Sequence, residues 1–153
     1  MSEKTKTYIK AIIIPLLVGG IVGLLISNQI DYNSLNKPPL APPSSLFPIM
    51  WTVLYFLMGV SYGILDSNNL ITKKINNIYY LQLGVNALWP IAFFILKWRL
   101  FAFIWILLLV VLICIMIYRF YEKNKTSAYL QIPYLIWTAF ASYLNIAIYL
   151  LNK

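Results

Sequence analysis

Five long stretches without a charged residue constrain this sequence more than any other feature. Each is about 19 residues or longer, the length that a helix needs to cross a hydrocarbon core of about 30 Å. Lipid cannot satisfy exposed backbone amides, so such segments must be helical, and the alternation of a membrane β-strand is absent. The predicted fold is an all-α integral membrane protein, a five-transmembrane-helix bundle. One domain, residues 1–153, is expected to hold helices at approximately 8–30, 44–66, 75–96, 100–120 and 126–151.

The composition agrees with a surface that faces lipid. The chain is 61% hydrophobic and only 10% charged, whereas soluble domains carry about 25% charged residues. The net charge of +8 comes from Lys and Arg in the polar gaps and forms no stripe along one face. This distribution argues against nucleic-acid binding and indicates a bilayer with anionic head groups.

Lys and Arg are shared unequally between alternate gaps. Eight lie on the side of the N-terminus and four on the other side, so the positive-inside rule predicts a cytoplasmic N-terminus and an outside C-terminus. The first apolar run is too long for a cleavable signal peptide and lacks its cleavage site. Abundant Lys, Ile, Asn and Tyr with only two Arg are typical of an A/T-rich bacterial genome. We therefore expect a multi-pass protein of a bacterial cytoplasmic membrane.

The sequence offers little for conventional catalysis. It has no histidine, which is the commonest general base and metal ligand. Its four carboxylates lie in or beside polar gaps, and its single cysteine, Cys114, cannot form an intrachain disulfide. We predict no metal site, no cofactor and no hydrolytic mechanism.

Three predicted helices place polar and aromatic residues on one face. These are Gln82, Asn86, Trp89 and Phe93 on the third, Trp137, Ala141 and Asn145 on the fifth, and Trp51 and Tyr55 on the second. Polar groups at membrane depth are costly and face the bundle interior or a cavity. Two interpretations stay open. Either the residues pack the helices together, with the asparagines bonding across the bundle, or they wall a small-molecule cavity.

A proline-rich loop, DYNSLNKPPLAPPSS, separates the first two helices. Its four prolines favour stiff, extended backbone, and its length of about 15 residues exceeds what a connection needs. The loop either caps a cavity mouth, with Asp31 and Tyr32 placed to bond a ligand's polar edge, or is a solvated linker. Two glycine pairs, Gly19-x-x-x-Gly23 and Gly59-x-x-x-Gly63, favour close helix packing.

Three blocks of the sequence resemble the TspO/translocator family, also called the peripheral-type benzodiazepine receptor family. The first is Leu35-x-Lys37-Pro38, then Pro42-Pro43 and Trp51-x-x-Leu54-Tyr55-x-x-Met58-Gly59. The others are Gln82-Leu83-x-x-Asn86-x-x-Trp89 with Phe93-Phe94, and Pro133-Tyr134-Leu135-x-Trp137-x-x-Phe140-Ala141 with Leu144-Asn145. The resemblance covers residues 31–151. Pro48 departs from the family pattern, because many members have their proline one residue nearer to the tryptophan.

The resemblance implies a cavity beneath the first loop and a homodimer. It also implies ligands: porphyrins such as protoporphyrin IX, the drug PK11195, and sterols in animal members. Trp51 and Trp137 match the family's paired pocket tryptophans. Other pocket positions are matched by Asn86, Tyr55, Phe93, Ala141, Pro42, Asp31 and Tyr32. Some bacterial members are reported to degrade porphyrin in light, with the tryptophans required.

We therefore expect a porphyrin-binding membrane protein with light-dependent oxidative degradation of the bound porphyrin as an attached activity. Indoles stack on a flat macrocycle and can give up an electron without any acid or base, so Trp51 and Trp137 are the candidate catalytic residues. A carrier of hydrophobic ligands and a stress-response sensor or scaffold remain alternatives. Two segments ending in Lys123 and Lys153 fit a loose sterol-recognition pattern, which arises by chance in helices rich in Leu and Tyr.

Overall fold

A computed structural model describes all 153 residues. The α-helices are α1 (Glu3–Ile26), α2 (Leu46–Ser67), α3 (Lys73–Pro90), α4 (Arg99–Tyr121), α5 (Lys125–Tyr129) and α6 (Ile132–Leu151). A π-helical turn, Ile91–Ile95, extends α3, and a 3₁₀ turn, Tyr32–Ser34, lies in the first loop. Five helical segments are long and apolar enough to span a membrane, with α5 and α6 together forming the fifth. The all-α fold with five spanning helices is thus confirmed.

The first helix is displaced from the predicted 8–30 toward the N-terminus. It begins at Glu3 because the Ser2 hydroxyl accepts a hydrogen bond from the Thr5 amide at 3.1 Å and so satisfies one free N–H of the first turn. It ends at Ile26, where the Ser27 hydroxyl donates to the Leu24 carbonyl at 2.8 Å. The loop to α2 is therefore longer than predicted, residues 27–45.

Prolines interrupt the third and fifth spans. Pro90 ends regular α3, and the following turn widens, with the Leu96 amide donating to the Ile91 carbonyl at 3.0 Å. Pro133 stands in the first turn of α6 and separates it from the short α5. Proline has no N–H to donate, so an α-helical ladder cannot run through either position unbroken.

Small residues let α1 lie close against α2. A Cβ at Gly59 would be 2.5 Å from the Ile12 Cα, and one at Gly63 would be 2.8 Å from the Tyr8 ring. Gly19 faces the Tyr55 ring. Gly19, Gly59 and Gly63 therefore serve packing within the chain, as close helix contacts in lipid require.

The spans alternate in direction, which gives the bundle two polar faces. The loop face carries residues 27–45, residues 96–98 and the C-terminus. The N-terminal face carries the N-terminus, residues 68–72 and residues 122–124. Between the faces, large apolar side chains point outward, including Leu24 at 78% exposure, Ile104 at 60% and Ile136 at 65%. In water such a surface would be a liability, so the bundle is a multi-pass membrane protein with lipid around it.

Candidate functional site

A cavity of about 660 Å³ lies beneath the proline-rich loop, between α1, α2, α3 and α6. Aromatic side chains form much of its wall: Phe47, Trp51 and Tyr55 from α2, and Trp89, Phe93 and Phe94 from α3 and its π-turn. On the α1 side the wall is formed by Gly19, Gly20 and Gly23, whose lack of a Cβ leaves the cavity wider there. Its polar groups are few: Ser44, Ser45, Thr52, Asn86 and Asn145, with Tyr32 from the loop.

Six of the nine predicted site residues lie in this wall: Trp51, Tyr55, Asn86, Phe93, Ala141 and Tyr32. Trp137 lies behind Trp51, with ring centroids 6.5 Å apart and planes nearly perpendicular. It is 8% exposed, and its indole N–H is buried without a hydrogen-bond partner. Trp137 therefore supports the wall from the second layer and does not form part of it.

Asp31 and Pro42 also stand outside the wall. The Asp31 carboxylate accepts a hydrogen bond from Arg99 Nη2 at 2.5 Å, and Lys97 Nζ lies 3.9 Å away. The Arg99 guanidinium lies over the Phe93 ring, 5.1 Å from its centroid. This ion pair thus backs one side of the cavity and ties the loop to the start of α4. Pro42 contributes its carbonyl, which accepts a hydrogen bond from the Tyr32 hydroxyl at 2.7 Å.

Asn86 belongs to a buried hydrogen-bond chain across three helices. The Tyr55 hydroxyl donates to Asn86 Oδ1 at 2.5 Å, and Asn86 Nδ2 donates to the Tyr134 hydroxyl at 2.7 Å. The Tyr134 hydroxyl in turn donates to Gln82 Oε1 at 2.7 Å. Both polar atoms of the Asn86 amide have protein partners, which satisfies a group that would be costly to bury alone.

Asn145 makes a second link, nearer to the loop face. Its Oδ1 accepts from the Trp89 indole N–H at 2.9 Å, and its Nδ2 donates to the Arg99 carbonyl at 2.7 Å. The asparagines thus bond across the bundle while the aromatic residues beside them wall a cavity. The sequence left two interpretations open, helix packing and a cavity wall. On these helix faces the asparagines do the first and the aromatic residues do the second.

The loop is fastened to itself and to α6. Lys37 Nζ donates to the carbonyls of Tyr32 and Leu35 at 3.2 and 3.1 Å. Asn36 and Asn152 exchange two hydrogen bonds of 2.9 Å. Burial raises the pKa of the Tyr32 hydroxyl above its ordinary value, so this group stays a neutral donor to the loop. These contacts hold the loop over the cavity mouth.

Two features of the site escaped sequence reasoning. The pair Gly19 and Gly23 was assigned to helix packing and Gly20 to no role, although a Cβ at Gly20 or Gly23 would meet nothing within 4 Å and both line the cavity. Arg99 was counted only as a topological charge. The spacing Gly19-Gly20-x-x-Gly23 in an otherwise bulky apolar helix is the signal that marks this cavity wall.

Comparison with known proteins agrees with this architecture. Residues 11–151 match the family model described as the TspO/MBR family. A protein of Archaeoglobus fulgidus named "Tryptophan-rich protein TspO" is 40% identical over 127 residues, which cover 82% of each chain. The "Tryptophan-rich sensory protein" of Cereibacter sphaeroides is 31% identical over 133 residues, 85% of this chain and 82% of its own. The sheep "Translocator protein" is 33% identical over 124 residues, 74% and 70% of the two chains. Matched over nearly its whole length, this chain belongs to the TspO/MBR family.

Proposed function

We propose that this protein binds a porphyrin-like ligand, with protoporphyrin IX as the type, in the cavity beneath the loop. The observation that carries the proposal is the wall itself. Trp51, Trp89 and Phe93 border a cavity of about 660 Å³ that has few polar groups. Small-molecule sites usually measure about 300–1,000 Å³, and aromatic rings favour a flat conjugated partner through offset stacking. PK11195, another largely aromatic molecule, suits the same wall, and so do sterol-like ligands because the wall is mostly apolar.

Asp31 and Arg99 lie behind the wall at Phe93, so they would reach the polar edge of such a ligand through a bound water. Asp31 Oδ1 and Arg99 Nε are both buried and have no hydrogen-bond partner. An unpartnered acceptor and donor at the side of a cavity are costly unless a ligand or water completes them. Asn86 offers less to a ligand than its position suggests, because both of its amide atoms already bond tyrosines.

We further propose that the bound porphyrin is degraded oxidatively in light, with dioxygen as the terminal oxidant. Trp51 lies in the wall, where its indole can pass one electron to the photoexcited ligand. The reduced ligand passes that electron to dioxygen, which becomes superoxide. Trp137, 6.5 Å behind Trp51, would refill Trp51 and hold the electron vacancy until it takes one electron back from the ligand, and the ligand radical cation then combines with the superoxide. The two tryptophans thus have different parts, contact for Trp51 and electron supply for Trp137. No group on this route has to act as an acid or a base.

The proposal extends to orientation and assembly. Eight of the twelve Lys and Arg residues lie on the N-terminal face, which supports a cytoplasmic N-terminus in a bacterial cytoplasmic membrane. A homodimer rests on the family resemblance, and cross-linking in native membranes tests it.

The names of two relatives favour alternatives of another class. One is called a translocator protein and one a sensory protein. Transport by this chain predicts porphyrin uptake into proteoliposomes that exceeds uptake into empty ones. A sensor predicts saturable binding with neither uptake nor a degradation product.

Binding and degradation are tested by one titration. Purified protein in detergent is titrated with protoporphyrin IX in the dark while tryptophan fluorescence is followed, and is then illuminated while porphyrin absorbance is followed. Trp51→Phe is expected to weaken binding about two- to ten-fold, the worth of one aromatic stack. Trp137→Phe should leave affinity within about two-fold and slow bleaching, since its ring lies behind the wall.

Trp98→Phe is the matched control, because Trp98 is 57% exposed and lies outside the cavity wall. It should change neither binding nor bleaching. Absence of saturable quenching in the wild-type protein would reject the binding proposal. Bleaching at the wild-type rate in the Trp51→Phe/Trp137→Phe double variant would reject degradation through the tryptophans and leave binding intact.

A further inference from the structure

A second, chemically opposite pocket lies on the N-terminal face, between the start of α3 and the end of α4. It measures about 390 Å³ and is lined by seven residues, of which only Ile75 is apolar. We call it the basic pocket, and it consists of Thr72, Lys73, Lys74, Ile75, Arg119, Glu122 and Lys123. Four cationic side chains, from the start of α3, the end of α4 and the turn after α4, therefore share one concavity with a single carboxylate.

The positive charge in the basic pocket is not neutralised by the protein. Arg119 Nη1 is 3.6 Å from Glu122 Oε2, which accounts for the only carboxylate. Lys73, Lys74 and Lys123 have no carboxylate within 4.0 Å and donate no side-chain hydrogen bond. Like charges gathered at one site repel one another, so an anion that entered the pocket would stabilise it.

On the loop face, in contrast, most cationic side chains have partners within the chain. Lys97 and Arg99 pair with Asp31, and Lys37 donates hydrogen bonds to carbonyl groups of its own loop. Three cations of the loop face therefore have partners within the chain, whereas the three lysines of the basic pocket have none. This contrast points to an external partner at the N-terminal face, because the same chain can supply internal partners where it needs them.

The depth of the basic pocket limits what that partner is. It lies where two membrane-spanning helices reach the polar boundary, and exposed Tyr118 and Tyr121 stand in the last turn of α4 beside it. Tyrosines in such positions mark the head-group level of a bilayer. Basic pockets between spanning helices at this level bind anionic lipid head groups.

We propose that the basic pocket binds a phosphate-bearing anion, for which an anionic phospholipid head group is the nearest source. Free phosphate shares the same chemistry and reaches the pocket from the water side. The site is separate from the cavity beneath the loop and does not depend on the porphyrin proposal.

Full-length protein in a neutral detergent tests the proposal with three probes. They are short-chain phosphatidylglycerol, phosphatidylcholine with the same acyl chains, and inorganic phosphate, each followed by titration calorimetry. The wild-type protein should bind phosphatidylglycerol more tightly than phosphatidylcholine. The triple variant Lys73→Gln/Lys74→Gln/Lys123→Gln should lose about five-fold in phosphatidylglycerol affinity for each charge, on the order of 100-fold in all.

The matched control is Lys4→Gln/Lys6→Gln/Lys10→Gln, which removes three charges from the same face but outside the pocket. It should lose no more than a few-fold. Saturable phosphate binding that is lost only in the pocket variant would support the site with free phosphate as a source. Lipid binding without phosphate binding would support it with lipid as the source. Equal losses in both triple variants, or equal binding of the two lipids by the wild-type protein, would overturn the proposal.

A change in the opposite direction guards against misfolding of the triple variant. Glu122→Gln removes the only carboxylate of the basic pocket and frees Arg119 from its partner. Phosphatidylglycerol binding should then tighten about five-fold, which a damaged protein would not show. Unchanged or weaker binding would count against the pocket.

Discussion

Replacing Gly59 by alanine tests the helix packing that builds the cavity. The added Cβ would lie 2.5 Å from the Ile12 Cα and 2.7 Å from the Ala11 carbonyl oxygen. Both are main-chain atoms, so no side chain can rotate away, and α1 must move by about 1 Å to restore ordinary contact. Overpacking of this kind costs about 1–3 kcal/mol, and alanine recovers about 0.5–1 kcal/mol of helix propensity over glycine. The expected net loss is about 0–2.5 kcal/mol relative to the wild-type protein, and about 1–3 kcal/mol relative to a glycine-to-alanine change without the clash.

Gly84→Ala is the control, since a Cβ there meets nothing within 4 Å. It keeps the gain in helix propensity without the clash and should be neutral or slightly stabilising. Stability is measured by circular dichroism while a mild detergent is exchanged for a denaturing one. The displacement of α1 should also weaken ligand binding, because Gly19, Gly20 and Gly23 lie in the cavity wall. If Gly59→Ala is as stable as Gly84→Ala, α1 and α2 do not touch as described.

Three further changes probe the site. Arg99→Leu leaves the Asp31 carboxylate, only 24% exposed, without its guanidinium; thermal denaturation should show a loss of about 1–3 kcal/mol, of which Asp31→Asn in the same chain restores part. Asn86→Leu leaves the Tyr55 hydroxyl without an acceptor and should cost about 1–3 kcal/mol, measured in the same way. Tyr32→Phe removes the hydrogen bond to the loop carbonyl and should speed ligand release at neutral pH in stopped-flow fluorescence. Burial raises the pKa of Tyr32, so the folded loop favours the neutral phenol. Its contribution is full below pH 10 and is lost as the pH rises through the raised pKa; the wild-type protein should therefore approach the release rate of Tyr32→Phe only above pH 10.

The membrane-spanning segments could be predicted from the sequence because charged residues lie near their ends. Polar gaps begin and end near the observed boundaries of α2 and α4, which differ from the predicted ones by one or two residues. The start of α1 was predicted at residue 8, because Lys4 and Lys6 were taken to lie before the helix, but the helix runs through them from Glu3. A helix can continue through polar residues into the interface, so hydropathy locates the bilayer better than the helix terminus.

The layers of the site could not be predicted, because one helix's sequence does not give its rotation against its neighbours. Trp51 and Trp137 carry equal weight as sequence signals, yet one lines the cavity and the other lies behind it. The same limit applies to Asn86. Its spacing places it on the inner face, but it cannot reveal that both polar atoms of its amide bond to tyrosines of other helices. The partner of Asp31 comes from 68 positions away in the chain, and no local pattern specifies it.

The hydrogen bonds of the two asparagines explain how an open cavity persists in a bundle surrounded by lipid. Helices in lipid gain little from burying apolar side chains against one another, so a large cavity needs walls held by directional contacts. Asn86 joins α2, α3 and α6, and Asn145 joins α6 to α3 and the start of α4. No side-chain hydrogen bond connects α1 to another helix, and close packing at glycines together with apolar side chains holds it against the bundle. Side-chain hydrogen bonds therefore hold the walls from α2, α3 and α6 to one another, and the wall from α1 depends on the closeness of its packing against α2.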